Sequence, residues 1–466
     1  MASLKNTTIN DTGFLQLPNG TDGQRPSPTN GMMRYNTTSG QMEVYTTAWR
    51  QLSTNYNVEV ILIAGGGGGG ASFNVSFGGG GGGGAGGYLQ QAVDVTPGTN
   101  YSMVIGGGGG GASISAQYGT TGGNTTGFGL TARGGQGGAS YQNSAFDNPS
   151  TSVGSGGGSA RDSPTYGIPI QDGQGNYGGG TGDSCMSGSG GGGSASNGFN
   201  GDRDCNEWRV NTTACGGIAK LYEWESNLGG IIATRVKVYS VYCGGQRSAN
   251  YAVAYSDDNV NWTNAFTGVM DSNNATGGSG TCGTIQGTGT GNGSYGRHIY
   301  WRYTVTGSVV GHHPRTSRVW LEDAAGNQYL LHRFINDNFD DIGNYQFTVV
   351  GSECREGVWL AGGAGGSFEG TGNKFSFGNG GQLPERGGRG SNTSGGTPQN
   401  YSTPGDANSG FGGGGANHNS FGGASAGGSG IVIIRYFGPQ RGSGGSVTSV
   451  NGYTIHKFFS SGTFTA

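Results

Sequence analysis

The sequence predicts an all-β protein in which runs of glycine form a packed scaffold. Glycine supplies 107 of the 466 residues, against a usual share of about 7 %. Strand-like apolar segments border several of these runs, such as Val58–Ile63 before Gly65–Gly70 and Ile431–Tyr436 after Gly412–Gly415. Aromatic residues make up 10 % of the chain. Flexible linkers lack both features, so ordered β-structure is favoured over a disordered linker.

Tandem glycines can adopt the polyproline-II conformation, a left-handed helix with three residues per turn and a rise of about 3.1 Å per residue. Without side chains, such helices can lie side by side and exchange N–H···O=C hydrogen bonds, which satisfies the backbone groups between neighbours. A run of six residues spans roughly 19 Å, enough for one layer of a sandwich. We therefore predict packed polyglycine-II helices, with short flexible linkers as the alternative.

Composition divides the chain into five regions. Residues 1–55 are polar, with short β-type pieces between turn signals and too few apolar residues to bury a core alone, which predicts a small N-terminal β module for attachment or oligomerisation. Residues 56–202 and 357–436 carry the glycine runs and form two parts of one scaffold. Residues 437–466 are predicted to be a closing strand.

Residues 203–356 differ from the scaffold on both sides. They hold five of the seven tryptophans and five of the six cysteines. Regular alternation of apolar and polar residues indicates strands, and about 150 residues of this kind suit an inserted β-sandwich. The alternating segments are Thr234–Tyr239, Tyr251–Tyr255, His298–Tyr303 and Arg318–Leu321.

Charge and hydropathy exclude two classes of partner. Charged residues make up only 11 % of the chain and the formal net charge is −3. A nucleic-acid-binding protein is expected to carry a basic stripe, and this sequence has none. The opening MASLKNTTIND has no apolar signal region, and no stretch approaches the 18 apolar residues of a membrane helix. We expect neither a nucleic-acid partner nor membrane insertion.

Motifs for catalysis are weak. The segment Gly423–Gly427 matches the nucleophile elbow G-x-S-x-G, but it lies in glycine-rich sequence without a strand-to-helix context. Glycoside hydrolysis needs two carboxylates across a cleft, whereas the acids of residues 203–356 include adjacent pairs such as Glu322 with Asp323. We expect no enzyme and no organic cofactor.

Two adjacent acids form a candidate cation site. Asp257 and Asp258, beside Asn259, could help to hold calcium in a loop, and solvated turn residues are the alternative interpretation. His312 and His313 are also adjacent, but neighbours on a strand face opposite ways and make a poor pair of metal ligands.

The cysteines contain no C-x-x-C pair, which argues against a zinc site. Their even number permits disulfides if the protein is extracellular. Cys205 and Cys354 flank the predicted insert, and a bridge between them would join its two ends. This pairing is one hypothesis among the several connectivities that six cysteines allow.

Several stretches resemble bacteriophage fibre proteins. Leu17–Tyr45 resembles N-terminal modules of phage fibre and virion proteins. Val58–Tyr101, with its two glycine runs, is similar to the glycine-rich domain of phage tail fibres and adhesins, as are Gly427–Tyr436 and Gly452–Phe464. The resemblance implies a homotrimeric appendage on the virion surface, whose N-terminal module contacts other virion proteins. A virion protein released by lysis needs no signal peptide.

The insert resembles discoidin-like (coagulation-factor type C) jelly rolls. Ile232–Tyr239, Tyr251–Trp262 and Tyr300–Tyr303 carry the resemblance. Such domains bind glycans, lipids or proteins through loops at one end, which implies a recognition site in the loops of residues 203–356. The ligand-binding candidates are Arg247, Tyr295, His298, His312 and Arg315. The alternative interpretation of His312 and Arg315 is that they are ordinary strand-end residues.

Together these features predict a non-catalytic phage fibre or adhesin that binds a host-surface glycan or protein through the insert. One alternative is a capsid-decoration or head-fibre protein whose jelly roll mediates subunit contacts, and a second is a polysaccharide depolymerase. In related fibres a strand like Tyr453–Phe464 precedes one like Val58–Ile63, but here it comes last. We therefore predict that this C-terminal strand closes the sheet that Val58–Ile63 opens, within the subunit or with a neighbour.

Overall fold

The computed structural model of the chain describes residues 17–52, 55–72, 78–113, 118–140, 153–160, 173–180, 188–198, 219–222, 224, 231–240, 249–270, 295–308, 316–325, 328–333, 345–349, 358–370, 388, 390–394, 397–417 and 423–466. Two compact units are distinguished. The first comprises Met1–Asn57, Asp94–Thr99 and Ala466, and the second Val58–Val93 and Asn100–Thr465. Within the described ranges the regular elements are β-strands, apart from a single 3-10 turn at Asp22–Gln24. The all-β prediction is confirmed.

The strands are numbered in chain order. The first nine are β1 (Asn19–Gly20), β2 (Met33–Asn36), β3 (Gln41–Tyr45), β4 (Trp49–Gln51), β5 (Tyr56–Ile63), β6 (Tyr88–Val95), β7 (Asn100–Met103), β8 (Thr125–Gly127) and β9 (Leu130–Ala132). The next eleven are β10 (Lys220–Tyr222), β11 (Ile231–Ile232), β12 (Arg235–Ser240), β13 (Ala249–Ser256), β14 (Thr263–Met270), β15 (Arg297–His298), β16 (Tyr300–Ser308), β17 (Thr316–Glu322), β18 (Gln328–Arg333), β19 (Tyr345–Val349) and β20 (Val358–Leu360). The last seven are β21 (Phe368–Gly370), β22 (Asn392–Ser394), β23 (Thr397–Asn400), β24 (Ile431–Phe437), β25 (Ser446–Val450), β26 (Tyr453–Phe458) and β27 (Gly462–Thr465). Among the described residues no helix is long and apolar enough to cross a membrane.

The first unit contains the sheet β1-β2-β3-β4, and the interior of this sheet is polar. Arg34, Asn36 and Glu43 are buried. The Glu43 carboxylate lies 2.8 Å from Nη2 of Arg25 and 3.3 Å from Nε of Arg34. The hydrogen bond from Arg25 is the main reason why the pKa of Glu43 is lowered. Polar groups therefore hold this sheet together, in keeping with the small number of apolar residues predicted for this module.

The second unit is organised around a five-stranded sheet of order β25-β26-β24-β5-β6. Strand β24 pairs antiparallel with β5 on one side and with β26 on the other, so that Ile434 lies opposite both Val60 and His456. The prediction that the C-terminal strand closes the sheet opened by Val58–Ile63 is confirmed, and the closure occurs within one chain. The apolar segments Val58–Ile63 and Ile431–Tyr436 are its central strands.

The C-terminal region differs from the single strand predicted for residues 437–466. It forms three strands, of which β25 and β26 make a hairpin and β27 pairs with β7. Asn451 and Gly452 turn the hairpin with φ values of 51° and 81°. An Asn-Gly pair between strands is a strong hairpin signal, because both positions of a type I′ turn require positive φ. That signal was present in the sequence.

The glycine run of residues 65–70 forms a helix with threefold periodicity. Each of its six N–H groups donates to a carbonyl of another segment. In order of the donors Gly65 to Gly70, the acceptors are Gly123, Gly428, Gly84, Thr120, Ser425 and Gly81. Every third donor thus reaches the same neighbour, which is the periodicity of a helix with three residues per turn. We call each such extended glycine-rich segment a rib.

The carbonyl groups of the same rib accept hydrogen bonds from three further ribs. In order of the acceptors Gly65 to Gly70, the donors are Gly135, Gly109, Gly413, Gly138, Ala112 and Ala416. The 65–70 rib therefore has six neighbours and all twelve of its backbone polar groups are paired. The rib of residues 80–87 also donates to three ribs, at residues 410–416, 133–139 and 189–192. The prediction of packed polyglycine-II helices is confirmed for these ribs.

Close packing explains why the ribs consist of glycine. A Cβ atom added to any residue from Gly65 to Gly70 would lie between 2.0 and 2.1 Å from a carbonyl oxygen of a neighbouring rib. No side chain fits at that distance, and the obstacle is backbone, which cannot rotate away. The 106–112 rib differs, because a Cβ at Gly107 would meet nothing within 4 Å, whereas one at Gly109 would lie 2.0 Å from Thr120 O.

Four antiparallel strands form a sheet of order β14-β13-β16-β19, and three form a second sheet of order β12-β17-β18. The alternating segments predicted from the sequence lie in strands of these sheets, with three exceptions: Thr234 precedes β12, His298 belongs to the short β15, and Ile299 lies between β15 and β16. Strands of the two sheets lie against each other, with β12 beside β14 and β16 beside β18. Phe266, Trp301 and Tyr303 are buried side chains of the larger sheet.

The segments that lead into and out of this region pair with each other. Strand β10 runs antiparallel to β20, with Lys220 opposite Leu360. Tyr222 and Leu360 belong to an apolar cluster of the five-stranded sheet that also contains Ile61, Ile433 and Ile455, and Trp224 packs against this cluster. In a second cluster, Trp359 and Ala219 contact Phe411. Residues of the predicted insert are therefore anchored on the scaffold by a short ribbon, which we call the neck.

A buried tyrosine–histidine pair fixes the loop after β24. The Tyr436 hydroxyl accepts from the N–H groups of Arg441 (3.0 Å) and Gly442 (3.1 Å) and lies 3.0 Å from Nε2 of His456. Nδ1 of His456 lies 2.8 Å from Gly444 O. Desolvation lowers the pKa of His456, and the hydrogen bond to Gly444 opposes this effect. The neutral ring thus donates through Nδ1 and accepts from Tyr436.

The two glycines of the 106–112 rib provide a matched test of the packing argument. Gly109→Ala is expected to lower the free energy of unfolding by about 2 kcal/mol or more, because the backbone of a neighbouring rib must move. Gly107→Ala is expected to change it by less than about 1 kcal/mol, because its Cβ enters open space. Chemical denaturation of both variants checks this, and an equal loss in both would contradict the packing.

Acidification from pH 7 to pH 5 is expected to lower the melting temperature of the chain. The unfolded ring of His456 takes up a proton near its ordinary pKa of about 6.5, whereas the folded ring, with its lowered pKa, stays neutral to lower pH. Stability is therefore lost as the pH falls below about 6.5. His456→Gln, which keeps one donor and one acceptor, should show a weaker pH dependence in calorimetry. An unchanged dependence in that variant would refute the assignment.

Candidate functional site

The candidate site lies at one end of the sheet β14-β13-β16-β19. It is built from the turn between β13 and β14 and from the segment that precedes β16. Strand pairing brings these two segments together, because Tyr255 at the end of β13 lies opposite Trp301 at the start of β16. We call Tyr255, Phe266, Tyr295, His298 and Trp301 the sheet-end cluster.

His298 is the centre of this cluster. Its ring stacks on that of Tyr255, with centroids 3.7 Å apart and an interplanar angle of 16°. Nδ1 lies 3.1 Å from both carboxylate oxygens of Asp257, and Nε2 faces the carbonyl oxygen of Tyr295. Since both ring nitrogens face acceptors, only a protonated ring donates to both. The His298 side chain is 14 % exposed and that of Asp257 63 %.

Further aromatic contacts fix the other members. The ring of Tyr295 packs edge-on against Phe266, with centroids 5.1 Å apart, and lies 6.1 Å from the ring of Tyr255. Nε1 of Trp301 donates to His298 O at 3.2 Å. Phe266 and Trp301 are buried, whereas Tyr255 and Tyr295 are partly exposed. The result is a pair of tyrosine rings held on a rigid aromatic base, next to an exposed carboxylate.

Asp258 organises the turn beside the cluster. Its Oδ1 accepts from the N–H groups of Val260 and Asn261, both at 2.8 Å, and its Oδ2 accepts from Nδ2 of Asn261 at 2.7 Å. The backbone hydrogen bonds from Asn261 and Val260, followed by the side-chain bonds from Asn261 and Ser256, hold the pKa of Asp258 far below its ordinary value. Asn259 takes φ of 59°, a conformation that asparagine adopts more readily than most residues.

A second aromatic contact lies nearby. The guanidinium carbon of Arg302 is 4.3 Å from the ring centroid of Trp262, the first residue after the turn. Both side chains are partly exposed. A guanidinium over an indole face is a cation–π contact, which holds the long arginine side chain in place.

The structure brings together three of the residues singled out from the sequence, namely Asp257, Tyr295 and His298. Asp258, the other candidate cation ligand, turns inward to its own loop. The remaining candidates lie outside the described residues: Arg247, His312, Arg315, Cys205 and Cys354. Within the described ranges no group of three or more histidine, cysteine, aspartate or glutamate side chains is placed to hold a metal ion. Calcium binding by Asp257 and Asp258 stays a prediction.

Sequence reasoning missed Tyr255, Phe266 and Trp301 as parts of this site. They stand in strands whose alternation marks them as core residues, which Phe266 and Trp301 are. Their positions in the sequence could have identified two of them as site residues. Tyr255 directly precedes the Ser-Asp-Asp turn, and Trp301 follows the predicted candidate His298 by three residues.

The fold and its ribs define an all-β protein built on a glycine-rich scaffold. The family described as a glycine-rich domain matches residues 37–304 and 323–437, more than half of the chain, and the protein belongs to this family. The match continues through much of the predicted insert, and the discoidin-like interpretation of that region stays a prediction. No curated protein and no solved structure matches the chain.

Removal of the Asp258 carboxylate is expected to loosen the turn. In Asp258→Ala the amides of Val260 and Asn261 lose their acceptor, and their hydrogen exchange should accelerate by about tenfold or more. Exchange measured by mass spectrometry on peptides covering 256–262 tests this. Asp257→Ala is the matched control, because Asp257 faces His298 and accepts from neither amide. Similar acceleration in both variants would contradict the assignment.

Proposed function

We propose that the protein is a non-catalytic fibre or adhesin on the surface of a virion, which binds a host-surface glycan or protein through residues 203–356. The observation that carries this proposal is the sheet-end cluster, in which two partly exposed tyrosine rings adjoin an exposed carboxylate. Sugar rings stack on aromatic faces, and their hydroxyl groups need directional donors and acceptors. The proposal includes no cofactor and no catalytic step.

The neck supports this proposal because it anchors both ends of the region that carries the cluster on the scaffold. The neck joins the cluster's region to the five-stranded sheet through Tyr222 and Leu360 and to the ribs through Trp359. A recognition site on a rigid support loses less conformational entropy on binding than a site on a flexible stalk. This arrangement suits an adhesin, whose ligand site must be held away from the particle.

The first unit is proposed to mediate homotrimer formation and contacts with other virion proteins. The buried side chains of its sheet β1-β2-β3-β4 are polar, whereas Met33, Tyr35 and Leu52 are 40–44 % exposed. Large apolar side chains on the outside of a small sheet favour burial against another chain. The mass of the chain in solution, by light scattering, tests the trimer separately from ligand binding.

Tyr295→Ala is expected to weaken binding to the glycan or protein receptor by about tenfold, because one ring of the cluster is removed. The full chain is first screened on a glycan array and on host envelope fractions, and the best ligand is then titrated by calorimetry. Val260→Ser is the matched control, because Val260 is 75 % exposed in the adjacent turn but makes no ring contact with the cluster.

Each alternative function has its own outcome in this experiment. A chain that binds no glycan and no envelope component, yet decorates purified particles, would overturn the adhesin in favour of a structural role. Shortening of a bound polysaccharide during the titration would indicate a depolymerase. Equal losses for Tyr295→Ala and Val260→Ser would remove the sheet-end cluster as the site.

A further inference from the structure

A second group of exposed aromatic side chains lies on the five-stranded sheet, outside residues 231–349. Phe437, at the end of β24, is 71 % exposed, more than most large apolar side chains of the chain. Its ring packs edge-on against Tyr453, the paired residue on β26, with centroids 5.5 Å apart and an interplanar angle of 79°. We call Glu59, Trp224, Arg435, Phe437 and Tyr453 the sheet platform.

Strand alternation places the members of the platform on one face of the sheet. Arg435 and Phe437 are two residues apart on β24 and therefore point the same way. Glu59 lies opposite Arg435 on β5, and Nε of Arg435 donates to its carboxylate. This is the face that carries Ile433, whose apolar cluster is partly covered by Trp224.

Arg435 joins the aromatic and the charged parts of the platform. Its guanidinium carbon lies 4.4 Å from the ring centroid of Trp224 and 4.7 Å from that of Tyr453. The side chain is 22 % exposed, and that of Glu59 is 42 % exposed. The cation is therefore held between two rings and an acid, while part of both charged groups still faces solvent.

The turn before Tyr453 leaves room for the exposed ring. Gly452 takes φ of 81°, and a Cβ atom there would lie 3.1 Å from Cε2 of Phe437. A side chain at this position would be strained and would press on the Phe437 ring. Glycine at position 452 therefore leaves space for the Phe437 ring beside the hairpin turn.

We propose that the sheet platform is a binding site for an uncharged saccharide. Glu59 and Arg435 form an ion pair with each other, and Lys457, also on this face of β26, lies over the ring of Tyr222. The charges of the platform members themselves therefore give no net attraction to an ionic ligand. It does place exposed carboxylate acceptors beside guanidinium donors, and each sugar hydroxyl needs both. The Phe437 ring, which is 71 % exposed, supplies apolar surface for the C–H face of a pyranose, and the ring of Tyr453 supports it edge-on. This combination favours a neutral sugar over an acidic or basic partner.

The platform is independent of the proposed function. Four of its members lie on strands of the scaffold, and Trp224 follows β10 of the neck. The sheet-end cluster lies on β13, β14, β16 and the segment before β16. Failure of one site therefore leaves the other untouched. If both bind saccharide, a ligand with several sugar units gains avidity only when the two sites can be reached together.

The test uses the full chain carrying Tyr295→Ala, so that the sheet-end cluster contributes little. Saturation-transfer NMR with methyl glycosides and short neutral oligosaccharides, and with a uronic-acid oligosaccharide for comparison, should show transfer to the neutral ligands. In the same background, Phe437→Ala should weaken binding by about tenfold or more, because the exposed ring is lost. Glu59→Gln should also weaken binding, while a circular-dichroism melt shows that the fold is kept.

Phe459→Ala is the matched control, because Phe459 is 50 % exposed after the end of β26 and is the same kind of residue. Its binding should equal that of the parent. Absence of transfer to every neutral saccharide, equal losses for Phe437→Ala and Phe459→Ala, or stronger binding of the uronic-acid ligand would overturn the proposal. So would self-association of the chain that Phe437→Ala abolishes, since the ring would then serve a protein contact.

Discussion

The absence of a Cβ atom from the ribs is the constraint on which the rest of the structure depends. Neighbouring ribs approach so closely that an added Cβ on Gly65–Gly70 would overlap a carbonyl oxygen of the next rib. The same approach lets each N–H reach a carbonyl of another segment, and the 65–70 rib has no unpaired backbone group. In an ordinary core, burial of apolar side chains drives packing. Here hydrogen bonds between the backbones of neighbouring ribs take the place of apolar burial. Glycine, however, loses more conformational entropy on folding than other residues. The many bonds per rib offset that cost.

Apolar side chains are therefore concentrated where strands meet the ribs. Val58–Ile63 and Ile431–Tyr436 supply the central strands of the five-stranded sheet, and glycine ribs begin or end directly beside them. The neck uses the same surface, since Tyr222 and Leu360 join the cluster around Ile433. Phe411 is a large apolar residue within a rib, and it packs against Trp359 and Ala219. The ribs, the sheet and the neck consequently share contacts, and these contacts explain how a scaffold with few side chains can hold a site.

The outline of the fold was predictable from the sequence, and the detailed pairing was not. Apolar runs beside glycine runs identified the central strands, and tandem glycine identified the ribs. A Cβ atom would clash at Gly65 but not at Gly107. The sequence of a glycine run does not show this difference, because all of its residues are identical. The Asn451-Gly452 pair is a hairpin signal in the sequence, and it turns β25 into β26. At the site, Asp257, Tyr295 and His298 were predicted as separate candidates, but their convergence depends on the register of β13 and β16. Tyr255 and Trp301 were not predicted as site residues, because the alternation of apolar and polar residues along a strand is the same for a core residue and for a site residue.

The close packing of the ribs also limits where the protein can bind a ligand. In the 119–124 rib, Gly119 and Gly122 face the 65–70 rib, and an added Cβ on either would lie about 2 Å from one of its carbonyl oxygens. Thr120 and Gly123, also three residues apart, are exposed. Side chains are thus excluded from the row of this rib that faces the 65–70 rib. Exposed rows repeat every third residue and offer isolated short polar groups, too sparse for a ligand site. A constellation of rings and charges needs the two-residue alternation and cross-strand neighbours of a sheet. Both the sheet-end cluster and the sheet platform lie on sheets for this reason, and changes to either leave the rib hydrogen bonds intact.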